Sequence, residues 1–528
     1  MKRTSLTTAV IAGIAGVAGI SSMANAVYLN QDGLGQVLIY PYYTVNAGNI
    51  TLMTVVNTTS QGKAIKVRYL EAYDSREVLD FNLYMSPHDV WTAAVIPDSS
   101  TGGAGVFSSD NSCTVPAIGP GSGYDSGNPA PFLTYAYDGT GGENGSTIPS
   151  DGGPTGFSRT LEGYIELIEM GTVYNQSNGQ SSLAAITHKP NGVPANCLQV
   201  KGAWDAGGYW QNNANIDVSA PSGGLFGSGA IINVMAGEIA GYNADAIDQF
   251  YLPFGNAHTA PGSLSPSIAT GTMKTSYTFT QLPGSSSGTP TLATTQYTRA
   301  VDAVSSIFMA DQLYNEYWTS SATLSVNSEW VVTFPTKRFY VDTYSASLTG
   351  TGGLLRPFDT TFGKPGQSCS PIKISKYNRE EATVTTQTGF SPSGAQAGTN
   401  LCYESQVVTF GQGNISTTTP TAILGSKLGA NIPVVDKTGV GWAMIDLYGS
   451  STTNHVLPAA YTAASNGSTG APGGQNTFFG LPVTGFWITN LVNANANNAG
   501  NLGNYSALFR HKLHRACAQG SVQGIACS

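Results

Sequence analysis

The sequence predicts an all-β protein of antiparallel β-sandwich domains, with long loops rich in Gly, Ser and Thr and with one or two short helices. Three observations predict this class. Apolar and polar residues alternate with a period of two in several short segments, which Gly, Asn, Thr and Ser separate. Glycine accounts for 64 of the 528 residues, which is typical of long loops. Hydrophobic residues make up 41% of the chain and charged residues only 10%, against roughly 25% charged in ordinary soluble proteins.

A chain of this length exceeds a single hydrophobic core and therefore predicts several domains. We expect a signal peptide at 1–26, an N-terminal β-sandwich domain at 27–260 with a long loop insertion at about 97–156, a linker rich in Pro, Gly, Ser and Thr at 261–297, and a C-terminal β domain at 298–528.

The first 26 residues have the three parts of a secretory signal. Met1-Lys2-Arg3 is positively charged, the stretch from Thr7 to Ile20 is apolar or small, and Ala24-Asn25-Ala26 resembles a cleavage site. A membrane anchor is the weaker alternative, because the apolar run is short and rich in glycine. We therefore expect an exported protein, at the cell surface or outside the cell, with no transmembrane segment in the mature chain.

The mature chain opens with strongly alternating segments that predict a series of antiparallel strands. In Ala64–Glu71, for example, Ile65, Val67 and Tyr69 fall on one face and Lys66 and Arg68 on the other. Strands are predicted over Gln36–Val45, Ile50–Asn57, Ala64–Glu71, Val78–Leu83 and Val90–Ile96, and again over Gly163–Val173 and Gly229–Glu238.

Beyond the linker, one helix is predicted over Asp302–Trp318, because Val301, Val304, Ile307, Tyr314 and Tyr317 recur at helical spacing. A strong strand follows at Glu329–Pro335. Further strands are predicted at Arg338–Val341, Gly441–Tyr448, Leu481–Leu491 and Tyr505–His511.

Six cysteines lie in the mature chain, and an even number in an exported protein predicts disulfide bonds. Sequence alone leaves 15 pairings open, of which pairing between neighbours is the simplest. A metal site is the weaker alternative, because the chain has no CxxC pair. The disulfide candidates are Cys113, Cys197, Cys369, Cys402, Cys517 and Cys527.

No catalytic constellation stands out, so the sequence favours a protein that is not an enzyme. The G-x-S-x-G match at Gly284–Gly288 lies in the linker, without the strand and helix that a nucleophile elbow needs. Glu162 and Glu166 would lie some 13 Å apart on one strand, too far to act as a glycosidase pair, and we expect them and Glu169 on a solvent-facing edge. His511 and His514 could reach one metal on a helix, but their basic surroundings favour a solvated tail that docks on an acidic partner.

Two weaker groups of binding candidates remain, and no cofactor is expected apart from a structural calcium ion for which the chain offers oxygen ligands. Aromatic residues in a Gly- and Asn-rich region could form a glycan platform, although burial is the more common fate of such rings. The glycan candidates are Trp204, Tyr209, Trp210 and Tyr242, and the metal candidates are Asp32, Asp245 and Asp248.

Three stretches resemble a family of uncharacterised exported cell-surface proteins of Gram-negative bacteria. These stretches are Val55–Thr59 continuing through Lys63–Arg68 to Val78–Asn82, Trp330–Phe339, and Leu481–Phe486. They lie near both ends and in the middle, so the resemblance implies one family over the whole mature chain. It implies a surface location, and it brings no active-site residues.

Charge and composition then order the possible functions. The net charge of −8 excludes nucleic acid, which requires a basic surface. We favour an exported, non-catalytic cell-surface protein, a subunit of a surface layer, filament or adhesive matrix that associates with itself or with cell-envelope components. The alternatives are an exported polysaccharide-active enzyme and a glycan- or metal-binding surface module.

Overall fold

The computed structural model describes residues 26–143, 146–283, 290–320, 325–349, 356–379, 400–411, 419–432, 439–449, 455–459, 475–493, 503–519 and 527. The predicted signal peptide up to residue 25 and the G-x-S-x-G segment Gly284–Gly288 lie outside the described residues.

The N-terminal half contains sixteen of the strands, separated by short helices. The strands are β1 (Tyr28–Leu29), β2 (Val37–Thr44), β3 (Asn49–Asn57), β4 (Gly62–Glu71), β5 (Glu77–Met85), β6 (Val90–Asp98), β7 (Gly103–Phe107), β8 (Cys113–Val115), β9 (Ala130–Pro131), β10 (Gly142–Glu143), β11 (Ser146–Thr147), β12 (Glu162–Val173), β13 (Val218–Ser219), β14 (Leu225–Asn233), β15 (Glu238–Asn243) and β16 (Asp245–Asp248). The α-helices are α1 (Tyr135–Asp138), α2 (Ser182–Ile186), α3 (Cys197–Gly202) and α4 (Tyr209–Asn212), and single 3-10 turns span Asn46–Gly48 and Phe157–Leu161.

The rest of the chain continues with β17 (Thr275–Thr280), β18 (Thr291–Gln296), β19 (Met309–Ala310), β20 (Gln312–Trp318), β21 (Ser325–Thr333), β22 (Ser370–Pro371), β23 (Lys373–Asn378), β24 (Asn400–Leu401), β25 (Ser405–Phe410), β26 (Gly429–Ile432), β27 (Val440–Asp446), β28 (Val456–Pro458), β29 (Asn476–Phe479), β30 (Leu481–Pro482), β31 (Thr484–Val492), β32 (Tyr505–Arg510), β33 (Lys512–His514) and β34 (Cys517–Gln519). Its helices are α5 (Ala300–Phe308), α6 (Arg338–Val341) and α7 (Thr343–Leu348).

Two sheets form the N-terminal β-sandwich. The first has eight strands in the order β1-β16-β2-β12-β4-β5-β8, with β13 beside β12, and the second has six in the order β15-β14-β3-β6-β7-β9. Side chains of the two sheets meet between them, as Phe81 of β5 and Trp91 of β6 do with ring centroids 5.7 Å apart. The predicted loop insertion contributes β7, β8 and β9, which extend both sheets.

The C-terminal half forms a second pair of sheets, with orders β23-β27-β20-β33 and β26-β25-β21-β31-β32. Tyr317 of β20 stacks on Phe410 of β25 at 4.9 Å and joins the two sheets face to face. The opposite face of β21 and β31 packs on the N-terminal sandwich through Val331, Phe486 and Ile488. Burial on both faces explains why Glu329–Pro335 is an almost unbroken apolar run.

The all-β class is confirmed, and the strands predicted around β2 to β6, β12 and β14 are present. The helix predicted over Asp302–Trp318 is wrong beyond its first half. Helix α5 ends at Phe308, because Met309 leaves helical conformation with φ −56° and ψ 131°. In β20 the period is two, and Leu313 and Tyr317 point inward. The strand predicted at Arg338–Val341 is also wrong, since this segment is helix α6.

The stretch predicted as a linker contains the hairpin of β17 and β18. Its side chains are partly buried, and Ile268, Met273 and Ala293 belong to one hydrophobic cluster with residues of both halves, such as Ile39 and Trp330. The two halves therefore share one hydrophobic core, to which this stretch also contributes.

All three predicted disulfides are present, and each joins neighbouring cysteines. Cys113 pairs with Cys197, Cys369 with Cys402, and Cys517 with Cys527. The first anchors helix α3 and its loops to strand β8 at the edge of the eight-stranded sheet.

Removing the disulfides separately should reveal the effect of loop length. The Cys113–Cys197 bond spans 84 residues of sequence and the Cys517–Cys527 bond only 10. Because closing a longer loop removes more entropy from the unfolded chain, double serine variants should lose about 4.5 and about 2.7 kcal/mol of unfolding free energy, respectively. Urea unfolding of both variants beside the wild type measures the losses, and a larger loss for the shorter loop would contradict this explanation.

Candidate functional site

The outer face of the six-stranded sheet is the first feature that points to function. Strand β3 alternates strictly, with its odd-numbered residues buried in the sandwich and Ile50, Leu52, Thr54 and Val56 directed outward. The same parity holds in β14, where Phe226 and the following even-numbered residues face outward. In an ordinary antiparallel sheet these outward positions would be polar or charged.

Strand pairing assembles these outward residues into rows. One row joins Phe226, Val56 and Val90, and another joins Ile50, Ile232 and Ile239. Between them lie Thr54, Thr92, Ser228 and Asn243, and also Leu52, Ala230 and Gly241. We call these thirteen residues, from Phe226 and Val90 to Ile239, the apolar face.

The apolar face carries no charged side chain and remains open to solvent. Val90 is 48% exposed and Ile239 is 60% exposed. The turn between β14 and β15 extends the surface with Val234 and Met235, which is 84% exposed. The sequence holds a signal for this face, because neither the odd-numbered nor the even-numbered residues of Asn49–Asn57 are charged. In the sequence analysis above, this segment predicts only a strand.

The opposite sheet of the sandwich has the reverse character, because its second face buries charged side chains. Arg68 on β4 lies between two carboxylates. Its Nε donates to Glu77 at 2.6 Å and its Nη1 donates to Glu166 on β12 at 2.7 Å. Nearby, Lys66 donates to Asp80 at 2.8 Å. A buried charge is costly unless paired, and these pairs satisfy that requirement.

A second buried arginine, Arg159, lies at the end of the same sheet. Arg159 donates to both carboxylate oxygens of Glu71, at 2.7 and 2.9 Å, and also to Asp151. Glu71 additionally accepts hydrogen bonds from the backbone amides of Tyr73, at 2.7 Å, and Arg76, at 2.8 Å. One buried carboxylate thus fixes the turn between β4 and β5.

That turn, residues 72–76, links the two halves of the molecule. Arg76 donates to Asp342 at 3.0 Å, and Ser75 donates to Glu404 at 2.9 Å. Both acceptors belong to the C-terminal half. We call the turn with these partners the charged junction.

The expectation that Glu162, Glu166 and Glu169 lie on a solvent-facing edge is wrong. Strand β12 lies inside the eight-stranded sheet, between β2 and β4, and all three carboxylates are buried. Glu162 accepts from Tyr42 at 2.6 Å and Glu169 from Lys63 at 2.8 Å. Their separate partners make them structural rather than a catalytic pair.

Breaking one of these pairs should destabilise the protein strongly. Glu166→Gln leaves part of the charge of Arg68 uncompensated in a buried site, so we expect a loss of about 3 kcal/mol of unfolding free energy. Asp205→Asn, at an exposed loop position, is the control and should change stability by less than about 0.5 kcal/mol. Denaturant unfolding measures both, and equal small effects would mean that the Arg68 cluster contributes little to stability.

The aromatic glycan candidates are only partly brought together. Trp204, Tyr209 and Trp210 form one cluster, with Trp204 and Trp210 5.7 Å apart and Tyr209 and Trp210 5.1 Å apart. Trp210 is buried and stacks on Tyr84. Tyr242 lies elsewhere, inside the sandwich against Phe486. These rings therefore form core contacts and not an exposed row.

A buried histidine completes the aromatic cluster. Nδ1 of His258 lies 3.0 Å from the carbonyl oxygen of Ala214, which can only accept, and Nε2 lies 3.0 Å from the Tyr84 hydroxyl. The Tyr84 oxygen already accepts from Trp204 at 2.7 Å, so its own hydrogen is available to Nε2. This arrangement holds a neutral imidazole, and burial lowers the pKa of His258 to about 4.

The neutral imidazole should make the contribution of His258 to stability depend on pH. The folded-state pKa of about 4 lies below the usual 6.5, so this contribution is complete above pH 6.5 and is lost as the pH falls toward 4. We expect the difference in unfolding free energy between wild type and His258→Gln to shrink by roughly 3 kcal/mol across that window, from 1.36 kcal/mol per pKa unit. Chemical denaturation of both proteins from pH 7 to 4 measures it, and a constant difference would contradict a neutral buried His258.

The three acidic metal candidates do not form one group of ligands. Asp32 is on an exposed turn, Asp248 accepts from Tyr28 at 3.1 Å, and Asp245 is buried with Arg510 and Thr484 as partners. Within the described part of the chain, no group of three or more His, Cys, Asp and Glu side chains is placed to hold a metal ion.

His511 and His514 do not share a ligand position either. His511 is buried at the start of a strand with Nε2 2.9 Å from the Val331 carbonyl oxygen, and burial lowers its pKa to about 4. His514 pairs with Asp311 at 2.7 Å. The expected solvated basic tail is therefore wrong for this segment, because β32 and β33 are integral strands of two sheets.

No protein-family model matches this sequence, and no curated protein or solved structure shows significant similarity to it. Among the described helices, none is long and apolar enough to cross a membrane. The resemblance to exported cell-surface proteins stays a prediction, and the apolar face and the charged junction are the features from which function must be inferred.

Proposed function

We propose that the protein is an exported, non-catalytic component of the bacterial cell surface that assembles with further copies of itself through the apolar face. The observation that carries this proposal is an exposed sheet face with Leu52, Val90 and Ile239 at outward positions and without a charged residue. Soluble proteins rarely expose a large continuous apolar patch unless it binds something.

The size of the apolar face suits association between copies. Strand spacing and rise give an area on the order of 500 Å² for this part of the sheet, so that two facing copies would bury about 1,000 Å², near the lower limit for a specific interface. A face without charges is also compatible with itself. Copies that each carry a net negative charge could meet there without like charges opposing one another.

The central row of Thr54, Thr92, Ser228 and Asn243 favours a second protein surface over a lipid surface. These short polar side chains can hydrogen-bond across a sheet-on-sheet contact, whereas hydrocarbon offers them no partners. A surface that inserts into anionic lipid would also be expected to carry basic residues, and the face has none.

The compartment is proposed on separate grounds. Three disulfides suit an oxidising environment, and the segment before residue 27 has the pattern of a secretory signal. The resemblance noted in the sequence supports the same location.

Sedimentation velocity and negative-stain imaging of the oxidised protein without its signal test the assembly. We expect face-to-face dimers in the wild type, because a single self-complementary face closes as a pair, and monomers in the double variant Leu52→Lys/Ile239→Lys. Both positions face solvent, so the variant should keep the circular dichroism spectrum and melting temperature of the wild type.

Leu198→Lys is the matched control, because Leu198 is 77% exposed on helix α3, outside the apolar face. This variant should assemble as the wild type does. A wild-type protein that stays monomeric at high concentration, or assembly that survives the double substitution, would overturn the proposal.

A further inference from the structure

A cavity of about 200 Å³ lies beside the charged junction. Arg68, Arg76 and Arg338 line it with a single carboxylate, Glu77, and all its other lining residues are uncharged. Among these are the hydroxyl side chains of Ser265, Ser267 and Thr270 and the aromatic rings of Phe339 and Tyr344. The wall of the cavity thus carries three guanidinium groups, one carboxylate and several hydroxyl groups.

Two of the three arginines already have carboxylate partners. Arg68 pairs with Glu77 and Glu166, and Arg76 pairs with Asp342 at 2.9 Å. Their charges are compensated by the protein itself. The third arginine, Arg338, has no such carboxylate partner among the described residues.

Arg338 is only 6% exposed, yet no Asp or Glu oxygen of the described residues lies within 4 Å of its guanidinium nitrogens. Its Nη1 donates to the carbonyl oxygen of Ser75, and its buried Nε has no hydrogen-bond partner. Removing a guanidinium from water without a counter-ion is costly, so this site is electrostatically incomplete.

The acids nearest in the charged junction do not complete it. Burial raises the pKa of Glu404 to about 8, and its carboxyl group accepts a hydrogen bond from Ser75 at 2.9 Å. Burial likewise raises the pKa of Asp74 well above its usual value, and neither of its oxygens has a hydrogen-bond partner. Asp74 and Glu404 therefore lie closer to other partners, Arg76 and Ser75 respectively, than to Arg338.

We propose that this cavity binds a small oxyanion, a phosphate, sulfate or carboxylate group, with Arg338 as its counter-ion. Arg338 lines the cavity, and the planar fork of a guanidinium matches the geometry of such oxygens. The volume suits a single anionic group with a few attached atoms, and the hydroxyl side chains can bind further oxygens. The group can come from a free ion or from an acidic sugar, and the experiment separates these sources.

Isothermal titration calorimetry of the oxidised protein with inorganic phosphate, sulfate and glucuronate, at constant ionic strength in sodium chloride, tests the site. We expect saturable one-to-one binding of at least one of them. Tighter binding of glucuronate would identify an acidic sugar, and tighter binding of phosphate or sulfate a free ion. Saturation by none of the three at millimolar concentration would overturn the proposal.

Arg338→Met should weaken binding at least tenfold, and Arg338→Lys should weaken it less, because the charge remains while the planar fork is lost. Arg515→Met is the matched control, since Arg515 also has a buried Nε without a partner but lines a different cavity with Tyr28 and Phe279. It should bind as the wild type does. Equal loss in the Arg338 and Arg515 variants would overturn the assignment.

A second measurement distinguishes loss of the binding site from misfolding of the variant. Without anion, Arg338→Met should be at least as stable as the wild type, because it removes a buried charge that lacks a counter-ion. Saturating anion should raise the melting temperature of the wild type and leave that of Arg338→Met unchanged. An equal rise in both would show a general salt effect.

This inference does not depend on assembly, since binding is measured per chain and the apolar face lies on the other sheet.

Discussion

The pairing of buried charges on the second face of the eight-stranded sheet is the constraint on which the rest of the architecture depends. Lys66, Arg68 and Glu166 occupy positions that would face water in an isolated sandwich. In this molecule they are covered, and each must therefore keep a partner of opposite charge or a hydrogen-bond acceptor. Lys66, for instance, donates both to Asp80 and to the carbonyl oxygen of Ala260, at 2.8 Å each.

This requirement ties the two halves together more firmly than apolar contact alone would. Arg76 of the N-terminal half is compensated by Asp342 of the C-terminal half, and Tyr164 donates to the Pro335 carbonyl oxygen at 3.1 Å. Separation of the halves would expose apolar core and leave these polar groups without partners. The two halves should therefore unfold as one cooperative unit, and the chain between them folds onto both.

The sequence predicts which side chains of a strand are exposed where a single face is buried, and mispredicts their exposure where both faces are buried. Alternation in Asn49–Asn57 places β3 without any tertiary information, because one parity contacts the core and the other contacts solvent. In β12 both parities are buried, so that Glu166 and Glu169 look like solvent-facing residues until their cationic partners on β4 are known. Such partners lie about a hundred residues away, as Lys63 does from Glu169, and local patterns carry no trace of them.

The apolar face and the cavity at Arg338 illustrate the same limit in different ways. Outward positions of β3, β14 and β15 can be read from the sequence one strand at a time, but only their pairing shows that the uncharged residues are contiguous. Arg338 was predicted to belong to a strand, whereas its side chain is held in helix α6 against the turn at Ser75. A site formed by contacts between distant segments leaves no motif.

In the N-terminal sandwich the exposed face of the six-stranded sheet has no charged side chains, whereas the covered face of the eight-stranded sheet has many. This is the reverse of the usual distribution of charge, and it affects what the protein can bind. Charged residues make up only 10% of the chain, and many of them form the buried pairs around Arg68 and Arg159. The surface is thereby poorer in charge than the composition suggests. Buried pairs of opposite charge leave the net charge of each copy unchanged, but an uncharged sheet face places no like charges directly opposite one another when two copies meet. The charged pairs that hold the halves together lie on the eight-stranded sheet, and the outer face of the six-stranded sheet, which has no charged side chain, is suited to association.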